Sequence, residues 1–333
     1  KFYRTAELLD ASGKKHGGLL TGEDMARWRA TKEAPVTYDY HGYTVAKCGP
    51  WSQGPLMLQQ LALLRDIPLA EMATEGPDFV HSVAEAAKLA FADREAWYGD
   101  AEGYEAPIAT LLSDAYNAER RKLIGQSAST EFRPGSPNGL RPNLPRYRVA
   151  DETSVDINAL LGAGEPTVAP DGEPRTDRAG AMRGDTCHID VIDRWGNMVA
   201  ATPSGGWFQS SPVVPGLGFS ISTRGQMFWL QEGLPSTLAP GRRPRTTLTP
   251  SMALRDGKPY LAWGTPGGDQ QDQWSLIFFL RHVHHGLNLQ ESIDAPSFHS
   301  EHCPSSFWPR EARPNRLVVE GQLPLTTVAA LKA

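Results

Sequence analysis

The chain has 333 residues, 40% of them hydrophobic, and a formal net charge of −5, which is enough apolar material for one large or two modest cores. Its 33 basic and 38 acidic residues are spread along the sequence, so it lacks the clustered Lys/Arg that a nucleic-acid or lipid surface needs, and no apolar run has the length to cross a bilayer. Three widely spaced cysteines, Cys48, Cys187 and Cys303, supply neither a disulfide framework nor a zinc knuckle.

Residues 1–18, KFYRTAELLDASGKKHGG, have the character of mid-chain sequence, neither a signal peptide nor a clean domain start, and they leave the compartment unknown. Residues 1–125 read mainly helical. LTGEDMARWRA carries a cap at Thr21 with acidic residues in the first turn. YDYHGYTVAKC reads as a short strand pair turning at His41-Gly42. GPLMLQQLALLRDI and DFVHSVAEAAKLAFADREAWYGD space their apolar residues at i, i+3, i+4 and i+7, as amphipathic helices on a core do. From about Gly125 to Asp185 the pattern dissolves into Pro, Gly and charge, which reads as a mobile connector at 126–185 with one short helical turn in SVDINALLG. After Asp185 the chain turns strand-rich. HIDVID, the turn RWGN and NMVAAT form a hairpin, GLGFSIS reads as a strand, and SMALRDGKPYLAWG is a second hairpin turning at Asp256-Gly257. A Gly-rich bend, TPGGDQ, follows. QWSLIFFLRHVHHG then reads as a buried helix closed by Gly286, and NLQESIDAPSFH as a helix stopped by Pro296. Strands followed by helices on one core give an α+β layered sandwich.

The sharp strand onset at Asp185-Thr186 has two readings: an ordinary loop-to-strand boundary, or a cleavage point whose new terminus does chemistry. A threonine hydroxyl needs a base beside it. If the bond before Thr186 opened, the freed α-amino group would be that base, with an ordinary pKa near 7.7–8.0. Ser204 lies at the far end of the same hairpin, which folds it back toward Thr186; the alternative is that Thr202-Pro203-Ser204-Gly205 is only a turn. Gly267-Gly268 allow two backbone N–H groups to converge as an oxyanion hole requires, although such a pair also makes a plain turn. Thr246-Thr247 offer hydroxyls to a carboxylate, or cap the backbone. His282, His284 and His285, and His299, His302 and Cys303, match no metal-ligand spacing, so no metal site is expected.

Taken in order, DTCHIDVIDRWGNMV, APGRRPRTTLTPSMALRDGKPYLAWGTPGGDQQ and HHGLNLQESIDAPSFH, preceded by GGLLTGEDMARWRA, YHGYTV and AEAAKLAFADREAWYGD, resemble the gamma-glutamyltranspeptidase family over most of residues 1–320. The resemblance implies a four-layer αββα sandwich of the N-terminal nucleophile hydrolase type, made as a precursor and cut into a large and a small subunit that stay associated. It divides this chain into a C-terminal part of the large subunit (1–125), a connector ending at the cleavage site (126–185) and a small subunit (186–333). It implies Thr186 as nucleophile, Asp185 as the residue whose carbonyl is attacked in self-cleavage, and His188 as the family's histidine two places on. Ser204 takes the position of an assisting hydroxyl. Gly267 and Gly268 take those of the oxyanion glycines, and Thr246 and Thr247 those of a hydroxyl pair on the substrate carboxylate. The expected chemistry is acyl transfer from γ-glutamyl amides such as glutathione to water or an acceptor amine, with no cofactor. Two positions depart from the family pattern: its usual Asn is Gly206 by offset, and its acid-bearing segment for the donor's amino group reads STRGQMF. These departures keep open an acylase acting on another amide, or a non-catalytic relative serving as a binding or structural domain. The family's large subunit starts roughly two hundred residues earlier, so the chain is expected to be a fragment, lacking the arginine that clamps the substrate carboxylate.

Overall fold

The computed structural model describes residues 2–5, 7–9, 14–150, 186–205, 213–219, 221–307 and 310–333. The expected cleavage residue Asp185, the expected substrate-binding residue Gly206 and the expected turn in SVDINALLG therefore lie outside the described residues.

A four-stranded antiparallel sheet organises the molecule, in the order Val36–Tyr40, Tyr43–Lys47, Ser251–Arg255 and Lys258–Trp263. Both of its hairpins turn through two residues with positive φ, His41 (46°) with Gly42 (84°) and Asp256 (53°) with Gly257 (70°). That geometry matches the right-handed twist of the strands it joins. Tyr43 pairs with Arg255 and Lys47 with Ser251, so the central seam joins residues two hundred positions apart.

Helices Gly54–Leu64, Pro77–Trp97 and Gln271–His285 supply the other half of the core. Tyr40, Val45, Leu58, Phe79, Leu89, Trp263 and Phe279 are among its buried members, so one core draws on both ends of the sequence. The Gly54–Leu64 helix is buried at every position, Gln59 and Gln60 included. It is thus a central helix, not an amphipathic one. Its glutamines mimic a polar face, yet Gln59 donates to buried Asp93 at 2.6 Å. The Gln271–His285 helix ends at Gly286 with φ 66°, a left-handed residue that Gly adopts without a Cβ penalty. Its histidines serve local structure, with His284 against Tyr40 Oη and His285 against the Met72 carbonyl. The Leu289–Asp294 helix opens with a capping box at Asn288 and stops before Pro296. Thr21 caps Gly22–Arg27 in the same way.

Residues 126–150 have little regular structure, but they are anchored. The Gly135 N–H donates to Asp93 Oδ1 at 2.6 Å, Trp97 Nε1 donates to the Gly135 carbonyl, and Arg148–Val149 pairs with Glu311–Ala312. Among the described residues of GLGFSIS the expected strand does not form. Gly216 and Gly218 hold φ of 80° and 75°, and Val214 N–H bonds back to the Phe219 carbonyl at 3.0 Å, closing a tight loop. Alternating apolar residues mimic a strand there, and the glycines decide against it.

The hairpin Ile189–Ile192 with Met198–Ala201 forms as the sequence predicts. Asp193 closes it, accepting the N–H groups of Trp195 and Asn197 at 2.9 Å, with Gly196 at φ 84°. Gly196 lies close to Pro259, so the hairpin tip sits near the strand Lys258–Trp263.

Candidate active site

Hairpin register locates Thr186. Ile189 is opposite Ala201, and the ladder continues past the strand ends with Cys187 N–H donating to the Pro203 carbonyl at 3.2 Å. One residue further, Thr186 comes opposite Ser204. Side chains alternate along an extended chain, so Thr186 and His188 share a face. His188 Nδ1 pairs with Thr202 Oγ1 and its Nε2 with Asp190 Oδ2, both at 2.8 Å. The same ring presses on Gly264, where a Cβ would meet His188 Cε1 at 2.4 Å. Gly264 opens the segment leading to Gly267-Gly268, so His188 ties the Thr186 strand to the glycine bend. Thr186 is 8% exposed, an interior position.

The bend is built by constraint. Gly267 has φ 117°, and a Cβ on it would lie 2.7 Å from the Trp274 ring, so both backbone and space demand glycine there. Gln271 Nε2 donates to the Gly267 carbonyl. In a trans peptide the N–H points opposite the C=O, so the Gly268 N–H is turned away from Gln271. The Gly268 carbonyl accepts from Gln271 N at 3.3 Å and from Gln53 Nε2 at 3.5 Å. Behind it, Asp269 takes Arg94 Nη1 at 2.5 Å, Ser306 N at 2.8 Å and Ser306 Oγ at 2.6 Å. Burial raises the Asp269 carboxyl, but Arg94 and Ser306 outweigh it and hold the group below the usual carboxylate range. Arg94 also binds Glu95 and Gln53 Oε1, and Glu95 binds Arg245. Burial works against the Arg94 charge, and Asp269 and Glu95 more than offset it, so its pKa is raised.

Gln53 connects this bend to the threonine pair. Its backbone N–H donates to the Thr246 carbonyl at 2.9 Å, and Thr246 N–H to the Trp51 carbonyl at 3.1 Å. Thr246 Oγ1 accepts from Leu248 N at 3.2 Å. Thr247 is 1% exposed, and its hydroxyl has no hydrogen-bond partner among the described residues. Nearby, Lys47 and Asp272 form a fully buried ion pair at 2.9 Å, with Thr249 bonded to both. Burial lowers the lysine and raises the aspartate.

Of the residues picked from sequence, Thr186 and Ser204 are thus paired by register, and Thr246 and Gly268 are joined through Gln53. Missed were Gln53, the Arg94–Asp269 bridge and Arg224. Arg224 opens the short turn Arg224–Met227 inside STRGQMF and donates Nη2 to Ser204 Oγ at 2.7 Å. It is 6% exposed, and burial pushes its guanidinium down to about 10. The available signal was charge in apolar context, as with Asp-Arg-Glu inside AKLAFADREAW.

An antiparallel sheet under helices, with a threonine-led hairpin against a glycine bend, is the α+β arrangement of the N-terminal nucleophile hydrolases. The chain belongs to the gamma-glutamyltranspeptidase family, whose profile matches residues 1–333. It is 27% identical over 319 residues to a glutathione hydrolase proenzyme of Pseudomonas sp. (strain A14), covering 92% of this chain and 49% of that protein. A solved structure described as LmbA2991HD is 52% identical, with a TM-score of 0.84, and covers 99% of this chain and 53% of that one. The cephalosporin acylase from Bacillus halodurans is 27% identical, with a TM-score of 0.72, over 95% of this chain and 47% of its own. The chain thus spans about half the length of the relatives it matches.

Proposed function

We propose that this chain carries the acyl-transfer site of a threonine-nucleophile amide hydrolase or transferase, autoprocessed between Asp185 and Thr186. The observation that carries the reading is the register setting Thr186 opposite Ser204, on the face that His188 presses against Gly264. Once its amine is free, Thr186 Oγ attacks the amide carbonyl and its amine takes the hydroxyl proton. N–H groups of Gly267 and Gly268 stabilise the oxyanion. The C–N bond breaks, the leaving amine collects the proton, and a threonyl ester remains. Water or an acceptor amine, deprotonated by the same α-amine, attacks the ester and regenerates the hydroxyl. Self-cleavage uses the same hydroxyl on the Asp185 carbonyl, by an N→O acyl shift followed by ester hydrolysis. The buried hydroxyl of Thr247, with Thr246 beside it, suits a donor carboxylate, and Gly206 is assigned a substrate-binding role from the sequence alone. The two pieces remain associated after the cut.

γ-Glutamyl amides such as glutathione are the donors to which the relatives' names point. A second reading, an acylase acting on another amide, is favoured by the cation of Arg224 beside Ser204. Intact mass of the full-length protein tests the core of the proposal. The native protein splits before Thr186, and Thr186→Ala stays whole and turns over no amide donor. Cleavage at that bond or undiminished turnover in Thr186→Ala sinks the nucleophile assignment.

A further inference from the structure

Two adjoining glycines leave the peptide between them free to turn over, because neither carries a Cβ to hold it. At the glycine bend three successive carbonyls are nonetheless committed. Pro266 O accepts from Thr265 Oγ1 at 3.0 Å and Gly267 O from Gln271 Nε2. Gly268 O accepts from Gln271 N at 3.3 Å and from Gln53 Nε2 at 3.5 Å. A trans peptide fixes its N–H opposite its C=O. Thr265 therefore sets the direction of the Gly267 N–H, and the Gln271 amide sets that of the Gly268 N–H. These are the two donors assigned above to the oxyanion.

Gln271 is suited to pinning and to little else. It is 1% exposed, it opens the helix Gln271–His285, and its Oε1 has no hydrogen-bond partner among the described residues. Burying an amide with one end unsatisfied is destabilising, so packing alone favours an apolar residue of similar size there. Its base is rigid. The next residue, Asp272, pairs with Lys47 at 2.9 Å. Gln273 Nε2 donates to the Ser300 carbonyl at 3.0 Å, and its Oε1 accepts from Ser300 N at 2.8 Å. Gln53 is held in turn by Arg94 Nη1 at 2.8 Å.

We propose that Gln271 is a positioning residue for acyl transfer: its side-chain amide locks the Gly267–Gly268 peptide so that the Gly268 N–H meets the oxyanion. Thr265 does the same for the Gly267 N–H. This rests on the reading of Thr186 and the glycine pair under the proposed function. Neither Gln271 nor Thr265 acts on the donor directly. Both act at the transition state, where the carbonyl oxygen takes on charge, and not in the ground-state complex.

The test is turnover of γ-glutamyl p-nitroanilide by the full-length protein, together with crystal structures of the variants. Gln271→Met lowers kcat by about tenfold to a hundredfold, less than removal of a whole oxyanion donor, and leaves KM within about twofold. Gln271→Glu keeps the shape, but only its protonated carboxyl donates to the Gly267 carbonyl. Its kcat relative to native therefore rises as pH falls, which a merely structural role does not produce. Thr265→Val gives the same loss in kcat, and this arm stands if the Gln271 variants do not fold. In crystals of Gln271→Met the Gly267–Gly268 peptide turns over or splits between two orientations. An unmoved peptide overturns the proposal, as does a native kcat or a loss confined to KM in Gln271→Met. Where the anilide is not turned over, the peptide orientation decides. Undiminished turnover in Thr186→Ala sinks the nucleophile assignment instead, and a turned peptide in Gln271→Met still supports Gln271 as the residue that holds the bend.

Discussion

Gly264→Ala isolates the contact that joins the two halves of the candidate site. The new Cβ would lie 2.4, 2.6 and 2.8 Å from Cε1, Nδ1 and Nε2 of His188, where an ordinary carbon contact is about 3.5–4.0 Å. The ring must therefore retreat by roughly an ångström. Its two nitrogens hold Thr202 and Asp190, so the retreat also strains those bonds. Gly264 is not among the residues with positive φ, so the penalty is steric and not conformational. Overpacking of this kind costs about 1–3 kcal/mol, and each weakened hydrogen bond adds up to about 1 kcal/mol. Denaturant midpoints of the full-length native protein, Gly264→Ala, His188→Ala and the double variant complete a cycle. Removing the ring relieves the clash, so the double variant is expected to be more stable than the sum of the single effects predicts, by about 1–3 kcal/mol. A native midpoint for Gly264→Ala, or additivity within about 0.5 kcal/mol, refutes the coupling.

Arg94→Ala leaves Asp269 and Glu95 without a shared buried cation, and a loss of about 3–5 kcal/mol in chemical denaturation is expected; a loss under about 1 kcal/mol would mean the bridge behaves as a surface pair. His284 is pushed down to about 4, chiefly by burial, with His41 and His285 adding to it. An unfolded chain takes up that proton near pH 6.5, so the contribution is fully present above 6.5 and fades as pH falls toward 4. His284→Gln should flatten the stability profile between pH 7 and 4.5, tracked by the denaturant midpoint, and an unchanged slope would remove His284 from the account.

What the sequence discloses here is local. Both two-residue hairpin turns follow from His41-Gly42 and Asp256-Gly257, and the helix stops from Gly286 and Pro296, because each signal lies in the few residues that adopt the geometry. Patterns at longer range mislead or stay silent. The Gly54–Leu64 helix looks amphipathic because periodicity cannot tell a glutamine facing water from one facing Asp93. GLGFSIS alternates like a strand, but two glycines with positive φ close it into a loop. At the site, family resemblance singles out Thr186, Ser204, Thr246, Thr247, Gly267 and Gly268. Nothing in local spacing points from Arg94 to Asp269, or from Arg224 to Ser204, since those partners meet only after the sheet and helices have packed.

The central seam of the sheet has a kinetic consequence. Tyr43–Lys47 and Ser251–Arg255, which precede and follow Thr186 in the chain, meet through five residue pairs, with Lys47 and Asp272 locked beside them. Opening the bond before Thr186 would add two chain ends and break none of these pairs. For either piece to leave, the seam and the core above it must come apart, a transition close to global unfolding. Cleaved molecules should therefore refuse subunit exchange. Two isotopically distinct populations mixed under native conditions are expected to yield no hybrids by native mass spectrometry, and hybrids forming well before unfolding would show that the two pieces are merely docked.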